Sequence, residues 1–241
     1  LPPQFLQNND LENEFITNTG GVNYRNTQKK YNYTLGISLQ PVDMRSYDVN
    51  KASWYIVNTR WNIIPVFNFN YQFSRSKRLS LFYRGSQRQP SISQLQQVPD
   101  LSSSSSVVFG NPDLRPEFNN IVSVNFNNFN FISGKVLFAN FSVTQTNNKI
   151  VNDVKLNGFR QQTTYANTDG FYNMTGFYTY SKPYKNRKYV VTFTGIGNFN
   201  NNISLDSGLK VISKNLVVNQ RLNLEYKIKD WLELGIGGGY T

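Results

Sequence analysis

The sequence predicts an all-β protein: an antiparallel up-and-down transmembrane β-barrel, with about ten strands in this segment of a larger barrel. Three observations predict this fold. Apolar and polar residues alternate over long stretches, short and long connections alternate along the chain, and no apolar run is long enough for a membrane helix. Only every second residue of a barrel strand faces lipid, so a transmembrane barrel can have a low mean hydropathy. The value of -0.48 for this chain agrees with this prediction.

Strict alternation is clearest in the segments 31–40, 67–73 and 222–228. In the first of these, Tyr31, Leu35 and Leu39 share one face, while Asn32 and Gln40 lie on the other. In none of the three segments do the apolar residues follow the spacing of a helix face. The pattern predicts ten strands, at about 13–24, 31–41, 61–73, 78–85, 119–130, 135–146, 159–180, 187–199, 216–228 and 231–241.

The connections between these strands fall into two classes. Short links are expected near 25–30, 74–77, 131–134, 181–186 and 229–230, and long links near 42–60, 86–118, 147–158 and 200–215. In an up-and-down barrel, all short turns then lie at one end and all long loops at the other. This asymmetry is typical of outer-membrane barrels, which have periplasmic turns and extracellular loops, and it predicts location in the cell outer membrane.

Composition excludes several kinds of chemistry. The chain has no Cys and no His, so it cannot contain a Cys₂His₂ zinc site, a Cys nucleophile or a Ser-His-Asp triad. We expect no metal site, no cofactor and no catalytic residues, and hence no enzyme. The net charge of +11 is dispersed and concentrated in short turns, which favours outer-membrane lipid and lipopolysaccharide over nucleic acid as partners.

The ends of the sequence predict a partial chain. Leu1 to Asp10 has neither the basic nor the apolar region of a signal peptide, and Trp231 to Thr241 has the pattern of a strand that is still running. We therefore expect residues 1–241 to form one transmembrane β-barrel segment, without a plug domain, from a longer protein. A secreted glycan-binding β-sandwich is the soluble alternative, because its strands also alternate.

Five short motifs occur in order along most of the chain. They are Ile63–Pro65 before an aromatic alternation, the strand Arg78–Arg84, the segment Gln89–Gln96 (QPSISQLQ), the segment Gly110–Glu117 (GNPDLRPE) and Tyr165–Gly170 (YANTDG). In order and spacing this series resembles the β-barrels of TonB-dependent outer-membrane receptors, and most closely the related barrels that pair with a carboxypeptidase-regulatory-like domain. The similarity covers about 61–241 in register.

The resemblance implies a complete receptor of about 22 strands with an N-terminal plug that this chain lacks. It also implies energised uptake of a scarce solute, with the parent chain's plug domain and TonB as partners. A surface lipoprotein or other outer-membrane subunits are possible further partners. Two alternatives keep the barrel but change its role: a passive porin, or a scaffold subunit of an outer-membrane assembly or export complex.

Two groups of residues are candidates for contact with a solute or partner. The first lies in the long loop 87–115. The prolines of Asn111-Pro112 and Arg115-Pro116 restrict the backbone at the end of this loop. Its members are Gln87, Arg88, Gln94, Gln97, Asn111, Asp113 and Arg115. The second group is expected to face the barrel lumen and comprises Arg84, Arg221, Glu225, Lys227 and Glu233.

Overall fold

The computed structural model describes residues 11–48, 53–95, 106–229 and 231–241. These residues form one sheet with a short helix, α1 (Ile92–Leu95). The strands are β1 (Leu11–Thr17), β2 (Gly20–Thr27), β3 (Tyr31–Asp48), β4 (Ser53–Ser74), β5 (Lys77–Arg88), β6 (Ser106–Val108), β7 (Glu117–Phe129), β8 (Val136–Asn147), β9 (Lys149–Asn157), β10 (Arg160–Thr168), β11 (Phe171–Tyr184), β12 (Tyr189–Asp206), β13 (Leu209–Lys229) and β14 (Leu232–Tyr240). Over these ranges, no helix has both the length and the apolar character needed to cross a membrane.

Most of the sheet is a single up-and-down wall. Strands β1 and β2 lie end to end along β3, and the wall continues antiparallel through β4, β5, β7, β8, β11, β12, β13 and β14. Counting β1 and β2 as one position, the wall has the ten strands expected from the sequence. The predicted all-β up-and-down barrel fold is confirmed. Within the described ranges, β14 pairs only with β13, so that edge of the wall is open.

The register gives the wall one apolar and one polar face. Directly paired residues share a face, and one apolar row crosses eight neighbouring strands: Leu35, Phe67, Tyr83, Val122, Val143, Met174, Phe199 and Leu216. The adjacent row on the other face is largely polar: Thr34, Asn68, Phe82, Ser123, Ser142, Thr175, Asn198 and Val217. The alternation read from the sequence therefore belongs to one continuous two-faced sheet.

The side chains of the apolar face are exposed on the surface of the wall. Leu35 and Ile37, in the half of β3 nearer the short turn, are 50% and 52% exposed, although both are large apolar side chains. The buried apolar side chains of the described residues are Val42, Leu114, Val151 and Ile203. All four lie towards the end of the wall opposite the short turns. A β-sandwich would instead bury its apolar rows between two sheets, so the sandwich alternative is wrong.

Side-chain hydrogen bonds connect neighbouring strands on the polar face. The amide of Asn70 donates to Asn32 at 3.1 Å and accepts from the hydroxyl of Ser80 at 2.7 Å. Further along the wall, the hydroxyls of Ser123 and Ser142 lie 2.8 Å apart. Such ladders satisfy polar groups without charge, as expected of a face lining a solvated lumen.

Three of the four predicted long loops are extended hairpins, and their prediction as loops was wrong. Residues 42–48 continue β3 and residues 53–60 belong to β4, Lys149–Asn157 forms β9, and residues 200–206 and 209–215 continue β12 and β13. Strands β12 and β13 pair without a register shift from Tyr189 opposite Tyr226 to Asp206 opposite Leu209. Ser207 and Gly208 close this hairpin with φ angles of 53° and 80°, the left-handed pair typical of a two-residue turn.

The reason for this difference is that these extensions pass beyond the bilayer. A tilted strand needs about 9–11 residues to cross the membrane, whereas β12 has 18. Outside the bilayer both faces meet water, so alternation is no longer required. Residues 209–218 of β13 are accordingly exposed on both faces. In the segment 86–118, residues 86–88 end β5 and residues 117–118 begin β7, and the described part between these strands contains α1 and β6.

Two predicted strands are interrupted. The strand expected at 13–24 is divided into β1 and β2 by Asn18 and Thr19, and the strand expected at 159–180 is divided into β10 and β11 by Asp169 and Gly170. Gly170 has a φ of 110°, which a regular strand does not allow. The pairing register nevertheless continues across the second break, from Phe171 opposite Thr146 to Thr168 opposite Lys149.

Candidate functional site

The long-loop end of the wall is joined into one framework. Strand β6, from the loop between β5 and β7, pairs parallel with β10. Strand β10 pairs antiparallel with β9, and β9 pairs parallel with the end of β12 at Leu205 and Asp206. Three separate connections therefore support one another at this end, which is the candidate site for capture of a solute or partner.

Asn111 attaches the long loop to β10. Its side-chain amide donates to the carbonyl of Tyr165 at 2.9 Å, and its side-chain oxygen accepts from the backbone N–H of Asp113 at 2.9 Å. Its own backbone N–H donates to the carbonyl of Gln94 at 2.6 Å. Because these contacts use both polar atoms of the side chain, Asn111 has a structural role at the base of the loop.

Asn167 forms the second attachment. Its side-chain oxygen accepts from the backbone N–H of Arg115 at 2.7 Å, and its amide donates to the carbonyls of Arg115 at 2.8 Å and of Asn148 at 2.7 Å. One side chain thus satisfies both backbone groups of Arg115. Two motifs that are more than fifty residues apart, at 110–117 and 165–170, meet through these contacts.

Apolar burial and an ion pair complete the loop base. Leu114 is 4% exposed, and Pro116 beside it is also buried. The next residue, Glu117, is 5% exposed; its carboxylate accepts from the backbone N–H of Ile150 at 2.9 Å and lies 3.1 Å from the ammonium of Lys149. A buried carboxylate needs such partners, because desolvation of an unpaired charge is costly. The pair fixes the start of β7 against β9.

We expect Lys149→Met to destabilise this loop base by about 1–2 kcal/mol, because the buried carboxylate of Glu117 loses its cation. The cost stays below that of a fully buried pair, since a quarter of the Lys149 side chain is in solvent. Amide exchange at Ile150 and the thermal midpoint of the full-length protein measure it.

Lys155→Met is the matched control on the same strand. Lys155 lies 3.8 Å from Asp153, and 53% of its side chain is exposed, so its loss is expected to cost less than about 0.5 kcal/mol. Equal effects of the two substitutions would contradict the role assigned to Lys149.

The neighbouring hairpin is held at the same place. The backbone N–H of Gly208 donates to the buried carboxylate of Asp153 at 2.9 Å. The backbone N–H of Asn148, whose φ is 52°, donates to Asp169 at 2.7 Å, and the ammonium of Lys210 donates to the carbonyl of Asp169 at 2.7 Å. The break between β10 and β11 is therefore held by hydrogen bonds to two neighbouring hairpins.

The structure places the predicted loop residues as follows. Gln87 and Arg88 end β5, opposite Phe118 and Glu117 of β7. Gln94 lies in α1, and its side-chain oxygen accepts from the backbone N–H of Ser91 at 2.9 Å. Gln97 lies outside the described residues.

Asp113 and Arg115 both have exposed side chains on a backbone that hydrogen bonds hold in place. Gln87 has a buried side-chain oxygen without a hydrogen-bond partner among the described residues. A role for these residues in ligand binding stays a prediction.

The predicted lumen residues all lie on the polar face by register. Arg84 pairs with Ile121, Glu225 with Val190, and Lys227 with Glu233. Arg221 donates from its Nε to Asn223 at 3.1 Å. Contact of these residues with water, a plug or a solute stays a prediction.

Sequence reasoning missed the residues that hold the framework together. Glu117, Asn148, Asn167 and Asp153 were not site candidates, although Glu117 and Asn167 lie in recognised motifs. The motifs themselves were the available signal, but their mutual contact depends on the strand register. Across the described residues, no group of three or more Asp or Glu side chains could hold a metal ion.

Comparison with known proteins identifies the fold family. The family model described as "Outer membrane protein beta-barrel family" matches residues 3–241. The chain belongs to this family. Membership confirms the predicted location in the outer membrane and the recognition of an outer-membrane β-barrel. A comparison with curated protein sequences gave no match.

The chain is similar to parts of larger proteins of solved structure. The copper transporter OprC has a TM-score of 0.58 at 14% identity, covering 95% of this chain and 34% of OprC. The siderophore receptor PirA from Pseudomonas aeruginosa has a TM-score of 0.49 at 10% identity, covering 94% of this chain and 53% of PirA. The chain thus spans about a third to a half of these proteins, and the similarity concerns the fold.

Proposed function

We propose that this chain is part of the barrel of a TonB-dependent outer-membrane receptor that takes up a scarce solute. In this proposal the wall separates lipid from a solvated lumen. The long-loop end captures the solute, and a plug domain of the parent protein closes the lumen until TonB pulls on it. The similar fold of a transporter is compatible with this role but does not define it.

The observation that carries the proposal is the anchoring of the loop 86–118. Asn111 and Asn167 hold its base against β10, and Glu117 holds its end against β9. A receptor loop must present its side chains in a defined place, because disorder in the free state reduces affinity. Asp113 and Arg115 are exposed on this fixed backbone and are the residues we propose for solute contact.

The lumen lining is the second element of the proposal. By register, Arg84, Arg221 and Glu225 lie on the polar face, where they pair with Ile121, Thr194 and Val190. We propose that they contact the plug domain and water. An ion pair on a solvated face contributes little free energy, so these side chains can form and break contacts with the plug easily.

The proposed function makes two measurable predictions for the full-length protein. It should bind the purified periplasmic domain of TonB saturably, at micromolar concentrations typical of transient partners. In planar bilayers it should give no steady conductance, because the plug closes the lumen. Binding is measured by titration with immobilised TonB domain, and conductance by single-channel recording.

Each alternative role has its own result in these measurements. Steady conductance without TonB binding would favour a passive porin and contradict the receptor. Absence of both, together with stable co-purification of other outer-membrane subunits, would favour a scaffold of an assembly or export complex.

A further inference from the structure

The short turn between β11 and β12 is strained. Lys185, Asn186 and Arg187 have φ angles of 46°, 54° and 68°, three consecutive residues in the left-handed region. Of these only Asn adopts that region readily, and glycine would do so at the lowest cost. Lys and Arg therefore occupy positions where the backbone favours other residues, which indicates that their side chains serve a purpose.

These two basic residues line a groove between neighbouring short turns. The groove has a volume of about 420 Å³ and is lined by Ile132, Ser133, Pro183, Tyr184, Lys185, Asn186 and Arg187. The side chain of Arg187 lies over Gly134, where an added Cβ would come within 3.3 Å of the guanidinium Nε. The groove thus combines two cationic groups with the apolar and aromatic side chains of Ile132, Pro183 and Tyr184.

The groove lies at the level of a membrane interface. Tyr184 and Tyr189, which form the pair closing the turn, are 45% and 37% exposed on the outward apolar face. The ammonium of Lys182 lies 4.6 Å from the ring centroid of Tyr184, and the ammonium of Lys185 lies 5.7 Å from the ring centroid of Tyr189. Lysines that extend along outward-facing aromatic rings place their ammonium groups at the height of lipid headgroups.

The positive charge of the groove is not balanced by any carboxylate of the described residues. Within the described ranges, none of Lys182, Lys185, Arg187 and Lys188 has a carboxylate at ion-pair distance. The ion pairs of Lys149 and Lys155 described above lie at the opposite end of the wall. Uncompensated cations at an interface attract anionic headgroups.

We propose that the groove at 131–134 and 183–187 binds the phosphate of an anionic phospholipid in the periplasmic leaflet of the outer membrane. Lys185 and Arg187 donate hydrogen bonds to the phosphate, and Ile132 and Tyr184 contact the glycerol and the first acyl carbons. The periplasmic leaflet follows from the position of the groove among the short turns. This inference rests on the outer-membrane location and is independent of the proposed uptake.

Native mass spectrometry of the full-length protein tests the proposal. The protein is released from mixed micelles containing equimolar phosphatidylglycerol and phosphatidylcholine, and the ratio of the two bound lipids is measured. We expect Lys185→Gln/Arg187→Gln to reduce the preference for phosphatidylglycerol about tenfold or more, since each basic residue near an anionic surface contributes roughly a factor of five.

The matched control is Arg160→Gln/Lys214→Gln, which removes one Arg and one Lys at the opposite end of the wall, where both side chains are exposed. It should leave the preference unchanged. Equal loss in both double variants, or no loss in the groove variant, would overturn the proposal. So would a groove variant that loses binding of purified lipopolysaccharide instead, because that lipid occupies the other leaflet.

A second variant separates lipid binding from folding. Lys185→Gly/Arg187→Gly relieves the left-handed strain, so we expect its thermal midpoint to rise while its preference for phosphatidylglycerol falls. A stabilised variant that keeps the lipid preference would show that the charges do not bind the headgroup. TonB binding should be unchanged in every groove variant, so failure here and failure of the receptor proposal are distinguishable.

Discussion

Leu35→Arg is expected to destabilise the barrel by about 2–4 kcal/mol, because it places a charge on the lipid-facing side near the middle of the bilayer. Leu35 is the fifth residue of β3 counted from the short turn, and a crossing needs about 9–11 residues. Its side chain lies in the apolar row beside Tyr24 and Phe67, and half of its surface is exposed rather than covered by the protein. Urea unfolding of the full-length protein in lipid vesicles, followed by heat-modifiable gel mobility, measures the change.

Thr34→Arg is the matched control, one residue away on the polar face. Thr34 pairs with Asn68 on one side and with Arg25 on the other, and it faces the side that we assign to the solvated lumen. The new charge there can remain hydrated, and lumen water screens its repulsion from Arg25, so we expect a loss below about 1 kcal/mol. If both substitutions cost the same, the apolar face does not meet lipid, and the orientation of the whole wall is wrong.

The sequence predicted the fold well where the bilayer imposes a pattern. Between the two interfaces, each strand must direct apolar residues to lipid and polar residues to the lumen, and the segments 31–40, 67–73 and 222–228 show this alternation directly. The short turns were also visible, because polar and basic residues interrupt the alternation there. Strand number and topology followed from these two signals.

The sequence predicted the extracellular end poorly because no such pattern exists there. In β13, Leu209, Val211 and Leu216 are exposed, and so are Lys210 and Lys214 between them. A hairpin in water is maintained by backbone pairing and by its closing turn, and neither requires a period of two. The extended hairpins were consequently taken for loops.

The candidate site was predicted only in part for a related reason. The motif at 110–117 was recognised as a stiff loop base, but its partners lie in β9 and β10. Whether Asn167 reaches Arg115 depends on the register of two hairpins and on the left-handed backbone conformation of Asn148, and short-range sequence signals do not determine such long-range geometry. The structure supplies that register.

Asn167→Ala is expected to release the base of the long loop by about 2–3 kcal/mol of local opening free energy. The substitution removes three hydrogen bonds, one from the Arg115 N–H, one to the Arg115 carbonyl and one to the Asn148 carbonyl. Each contributes roughly 0.5–1.5 kcal/mol, and exposure of the two Arg115 contacts keeps the sum below the upper limit. Hydrogen exchange at the Arg115 amide should accelerate by roughly 30-fold to 150-fold.

Asn152→Ala is the control in the same hairpin, because Asn152 is exposed on β9 and its side chain has no described partner. It should leave exchange at Arg115 unchanged. If Asn167→Ala accelerates exchange only at Arg115 and Asn148, the contact is local and the loop is held elsewhere. If protection is lost from Phe109 to Leu114 as well, Asn167 maintains the whole loop base, because Asn111 alone then cannot keep β6 and the following turn against β10.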